Sequence, residues 1–146
     1  MSHTHFLYHI VFGTKGRLPF ITETWEAALY RYLGGIVKNH NGEPVEINGM
    51  PDYIHLLVRL EPVGDFAAFM RELKASSSKW AKREHQPTFS WQRKYAAFTV
   101  SESVSGAVRA YIRNQKLHHQ KQTFESEYLS LLRLHNMDFD ERYLWE

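Results

Sequence analysis

Two tyrosines, a histidine and a glutamine in this chain have the types and spacing to hold a phosphate or a metal ion and to attack phosphorus. In the segment Tyr53-Ile-His-Leu-Leu-Val-Arg-Leu60, Ile54, Leu56, Val58 and Leu60 share one apolar strand face, so Tyr53, His55 and Arg59 project from the other. Positions two apart on a strand face are about 7 Å from each other, close enough for Tyr53 and His55 to touch one bound ion or phosphate. A solvated strand face has the same pattern. Farther along, Val104, Val108, Tyr111 and Gln115 follow at steps of four, three and four, which sets a phenol and an amide on one helical stripe. A phenol oxygen there can act as a nucleophile and the amide oxygen as a ligand. The alternative is a core tyrosine whose hydroxyl bonds to the glutamine.

Of the nine histidines, His118 and His119 are sequential and diverge on a helix, while His3 and His5 sit beside the terminus, so these read as solvated. His9 differs. It lies on the same strand face as His5, Leu7 and Val11, and that face is expected to be shared with His55.

The formal charge is only +2, so an anionic partner has to be argued from local clusters. Lys15 and Arg17 follow the first strand. Lys74, Lys79, Lys82 and Arg83 surround Ser76-Ser77-Ser78, and Arg93, Lys94, Arg109, Arg113 and Lys116 form a second group. Such cations and hydroxyls can bind phosphates, and Trp91 or Tyr95 can stack an unpaired base, although a solvated charged surface has the same composition.

The elements that must position these residues follow from periodicity. Alternation over 5–14 predicts a first strand, and Thr22 begins a helix to about Asn39, ended by Asn41-Gly42. Strands are expected at Val45–Asn48 and Tyr53–Leu60, a helix capped by Asp65 to about Arg83, and a fourth strand from Trp91 to Val100. Two helices, about 103–118 and 123–135, complete the chain. The order β-α-β-β-α-β is the ferredoxin-like α+β pattern, with helices covering one face of the sheet and the other face open.

The length of 146 residues, 43% of them hydrophobic, with nine Phe, eight Tyr and four Trp, predicts one domain over 1–146. Zero cysteines exclude disulfides and thiolate metal sites. No basic start precedes an apolar segment and no run of about 18 apolar residues occurs, which predicts a soluble, cytoplasmic protein.

Gly49-Met-Pro-Asp-Tyr-Ile-His-Leu-Leu-Val58 and Tyr111-Ile-Arg-Asn-Gln115 together resemble the single-tyrosine transposases of small insertion sequences, in the HUH superfamily. Tyr8-His-Ile-Val-Phe-Gly-Thr-Lys15, Leu73-Lys-Ala-Ser-Ser-Ser-Lys79 and Phe139-Asp-Glu-Arg-Tyr-Leu-Trp145 extend the likeness over nearly the whole chain. The resemblance implies a ferredoxin-like fold and Tyr111 as the nucleophile that forms a 5′-phosphotyrosine with single-stranded DNA. It also implies a divalent cation, Mg²⁺ or Mn²⁺, held at Tyr53, His55 and Gln115. The DNA would be recognised through terminal hairpins by a homodimer whose active sites are shared between subunits, with Lys15, Arg17, Lys74, Ser77, Lys79 and Arg113 as DNA contacts. The chain departs from the family at Tyr53, where the first histidine of the metal pair would stand.

Tyr53 thus leaves three expectations: weak ligation by the phenol, substitution by another group such as His9, or an impaired copy acting as a noncatalytic DNA-binding protein. An RNA-recognition domain would want aromatic residues on the central strands, and a plain metal-dependent hydrolase would want more carboxylates near His55 than Asp52 alone.

Overall fold

The computed structural model describes residues 3–61, 65–118 and 122–146. Strands β1 (Leu7–Gly13), β2 (Glu43–Met50), β3 (Tyr53–Arg59) and β4 (Ala96–Thr99) form one antiparallel sheet in the order β2-β3-β1-β4. Helix α1 (Glu26–Asn39) joins β1 to β2, and α2 (Phe66–Glu84) joins β3 to β4. This is the expected ferredoxin-like topology. Helices α3 (Ser105–Arg113), α4 (Gln115–His118) and α5 (Phe124–Leu134) follow.

One sheet face is apolar by alternation: Ile10, Phe12, Ile54, Leu56 and Val58 are buried there against Leu29, Leu33 and Val37 of α1 and Phe69, Met70 and Leu73 of α2. The other face is not open. Val11, Tyr53 and Phe98 pack under Phe124, Tyr128 and Leu132 of α5, and Leu7, Leu57 and Val100 pack with Ile112 of α3. The C-terminal helices therefore seal the face that carries His9 and His55, which are 4% and 0% exposed. A strand face with two histidines and a tyrosine reads as solvated until a second layer of helices is counted.

Several boundaries differ from expectation for local reasons. The Thr22 side chain bonds to Thr24 rather than capping a helix, and α1 begins at Glu26 after a turn closed on the Thr22 carbonyl. The second strand runs the full Glu43–Met50 beside β3, with a bulge between Pro44 and Glu46. The fourth is shorter because Trp91 makes only a single bridge to Thr14, while the amides of Arg93 and Lys94 turn to the Glu146 carbonyl. Asp65 caps α2 as expected, accepting from the amides of Ala67 and Ala68. Thr123 does the same for α5 through the Ser126 amide. The expected single helix over 103–118 is interrupted at Asn114, between Tyr111 and Gln115.

Candidate active site

Three elements deliver the site. Strand pairing sets His9 of β1 opposite Leu57 of β3, which leaves His55 one step along on the same face, and His9 Nε2 lies 2.8 Å from His55 Nδ1. Helix α3 is anchored at its C-terminus by Asn48, opposite His55 in β2, whose amide donates to the carbonyls of Ile112 and Arg113 at 3.1 and 2.9 Å. Lys116 adds a bond to the Gly49 carbonyl at 2.8 Å. These contacts bring the Tyr111 ring to 5.8 Å from the His55 ring and 6.3 Å from that of His9.

Sequence reasoning missed the residue at the centre. Glu127, in the first turn of α5 and 3% exposed, accepts from His55 Nε2 at 2.9 Å through one oxygen. Its other oxygen accepts from the Tyr111 hydroxyl and from Gln115 Nε2, the latter at 3.2 Å. One sequence signal was available: Phe124, Glu127, Tyr128, Leu131 and Leu132 share a helical stripe, so Glu127 is the acid on an otherwise apolar face.

The electrostatics follow from burial. Desolvation, then the proximity of His55, holds His9 down to about 3, so it stays neutral. Burial and then the hydrogen bond to Glu127 push the Tyr111 phenol up, which keeps its proton on in this arrangement. Burial also raises Glu127, but the hydrogen bonds from His55, Tyr111 and Gln115 and the His55 charge outweigh it, and the net direction is down. A cleft of about 490 Å³ between α3 and α5, lined by Val104, Val108, Leu131 and Leu134, reaches Tyr111.

Of the expected ligands, His55 and Gln115 converge, and Gln115 Oε1 is a buried oxygen with no hydrogen-bond partner among the described residues. An imidazole and an amide oxygen suit a hard or borderline divalent cation. Tyr53 fits less well. Its ring stacks on Phe124 at 4.5 Å, and burial, followed by the charges of Glu127 and Asp52, pushes its phenol up, against the ionisation that ligation needs.

The expected DNA contacts divide. Lys15 and Lys74 line one cleft of about 620 Å³ together with Arg71, Arg93 and Tyr95. Lys74 donates to the Arg93 carbonyl, and burial lowers it to about 8. Lys79 is exposed on α2. Arg17 pairs with Glu125 and lies over Phe124 and Trp145, and Arg113 pairs with Glu46 at 3.2 Å. Ser77 is a correction: it is fully buried, donates to the Leu73 carbonyl at 2.6 Å and accepts from Trp91 Nε1 at 2.9 Å, so it cannot meet phosphate. Trp91 is likewise buried against Phe12 and Phe89 and presents no stacking face. His5 is paired with Glu102 at 2.5 Å, and His119 lies outside the described residues.

The chain is 25% identical over 115 residues to the ISDra2 transposase TnpA of Deinococcus radiodurans, covering 74% of this chain and 82% of that one. A crystal structure assigned as a transposase from Deinococcus radiodurans R1 matches with 28% identity and a TM-score of 0.61, over 78% of this chain and 93% of that chain. A REP-associated tyrosine transposase, solved bound to a REP hairpin, shares the fold at 13% identity and a TM-score of 0.59, over 85% of this chain and 74% of that one. The model of the IS200-like transposases matches residues 2–115, from before β1 through Gln115, and the chain belongs to that family.

Proposed function

We propose that this transposase cleaves and rejoins single-stranded DNA, with Tyr111 as nucleophile, and that it selects its sites through DNA hairpins. The observation that carries the reading is the convergence of Tyr111, His55 and Gln115 from α3, β3 and α4 on one buried carboxylate. The Tyr111 oxygen attacks a backbone phosphorus, the bond from phosphorus to the 3′ oxygen breaks, and the 5′-phosphate stays on the tyrosine. Glu127 is the acceptor already bonded to the phenolic proton that must leave. The phosphotyrosine conserves the bond energy, so a 3′-OH can reverse the step and rejoin the strand without a nucleotide cofactor.

His55 Nε2 and Gln115 Oε1 are the groups offered to a divalent cation, Mg²⁺ or Mn²⁺. When bound, it supplies positive charge to the phosphoryl oxygens as negative charge accumulates there. Tyr53 walls this site. Lys15 and Lys74, which share one cleft, together with Lys79, are the proposed contacts to the hairpin phosphates, and Arg93, Arg17 and Arg113 would have to exchange their carboxylate partners to join them. The substrate suits a cytoplasmic protein, and no helix among the described residues is long and apolar enough to cross a membrane.

Within one chain Tyr111 already meets His55, so cleavage can proceed in cis. A homodimer that exchanged α3 between copies would repeat the same contacts in trans.

The test is a labelled single-stranded DNA carrying a candidate terminal hairpin, incubated with protein and Mn²⁺ and run on a denaturing gel. A covalent adduct that disappears in Tyr111→Phe is expected. Hairpin binding without an adduct in the unmodified protein would instead assign a noncatalytic DNA-binding role.

A further inference from the structure

We propose that Glu127 is the cation ligand this chain uses in place of the missing histidine at Tyr53, completing a site of His55 Nε2, Gln115 Oε1 and the Glu127 carboxylate. The inference rests on the transposase reading of this site.

Glu127 is 3% exposed and has no lysine or arginine partner among the described residues; the base bonded to it is His55, with His9 behind that ring. A buried carboxylate is costly unless it is compensated, and proteins compensate such groups with hydrogen bonds, an ion pair or a metal ion. The three donors that now face it, His55 Nε2, Gln115 Nε2 and the Tyr111 hydroxyl, converge as ligands and nucleophile would around a cation.

Two side-chain changes convert this hydrogen-bonded arrangement into a metal-bound one. His55 Nε2 exposes its lone pair if the ring proton sits on Nδ1, where His9 Nε2 at 2.8 Å can accept it. Turning the Gln115 amide by half a turn points toward Glu127 the oxygen that is now buried without a partner. The resulting set of one imidazole and two kinds of oxygen suits Mg²⁺ or Mn²⁺.

Tyr53 lies on the strand face where the absent histidine would stand, but its ring is committed to stacking on Phe124, three residues before Glu127 on α5. The same helix thus removes one group from the site and supplies another. The match to the family model ends at Gln115, so α5 lies outside the matched residues.

The experiment is calorimetric titration of the chelator-treated full chain with Mn²⁺ in the absence of DNA, with circular dichroism as a folding control. One Mn²⁺ per chain is expected, with binding weakened by at least about tenfold in Glu127→Gln, which keeps the side chain's shape. Tyr53→His in the Glu127→Gln background should recover part of the loss. Wild-type affinity in Glu127→Gln, or no Mn²⁺ binding by the unmodified chain at millimolar concentration, would overturn the assignment. As a measurement needing no variant, Mg²⁺ should move the ¹³C signal of the Glu127 carboxyl, and an unmoved signal would also overturn it. The adduct assay is separate: an adduct from a protein whose Mn²⁺ binding ignores Glu127 removes this ligand and leaves the transposase reading standing. Glu127-dependent binding without any adduct does the reverse.

Discussion

At the scale of single residues, the site is a chain of hydrogen bonds, His9 to His55 to Glu127 to Tyr111, closed on the far side by Gln115. His9 gives this chain a pH signature. Its folded pKa of about 3 lies below the ordinary 6.5, so the unfolded chain takes up a proton that the folded one refuses. The associated stability is fully present above pH 6.5 and is lost as pH falls toward 3. At pH 5 the expected loss relative to pH 7.5 is about 2 kcal/mol, and urea denaturation at the two pH values with chelator present should reveal it. His9→Asn should flatten that dependence; an equally steep fall in the variant would assign it to other groups.

Residue types also explain what was legible. Tyr111 and Gln115 stood out because polar groups interrupted an apolar stripe, and His55 because a strand face alternated around it. Glu127 did not, since an acid in the first turn of a helix is already accounted for by the helix dipole, and Glu125 beside it is one such ordinary case. Ser77 was drawn two ways, by the apolar stripe of α2 and by the basic residues around it, and the stripe decided its place in the core.

At the scale of elements, the turn between β2 and β3 does most to align the site, since it sets Asn48 opposite His55 and Asn48 holds the end of α3. Gly49 is required there. A Cβ at that position would lie 2.2 Å from the Tyr53 carbonyl oxygen and 2.8 Å from the Ile54 Cα, both backbone atoms that cannot yield. Gly49→Ala should therefore destabilise the fold by roughly 1–3 kcal/mol in denaturant titration, and should weaken adduct formation beyond that loss because Tyr111 shifts with the strand. Unchanged stability would mean that the turn opens freely. The strands and helices around this turn were legible from period and caps. The role of α3 and α5 as a second layer was not, because His5, His9, His55 and Arg59 lend the covered face the composition of a solvated one.

At the scale of the whole molecule, a sheet covered on both faces leaves Tyr111 reachable through the cleft between α3 and α5. With both halves of the site in one chain, a mixture of Tyr111→Phe and His55→Ala proteins should yield no more adduct than either alone. Recovery of adduct in the mixture would show that α3 is exchanged between copies in a homodimer. The most direct test of the central claim is mass spectrometry of the adduct formed on hairpin DNA with Mn²⁺, after digestion of both protein and DNA. A 5′-linked nucleotide on the peptide containing Tyr111 is expected, and a nucleotide on any other residue, such as Tyr53, would overturn Tyr111 as the nucleophile.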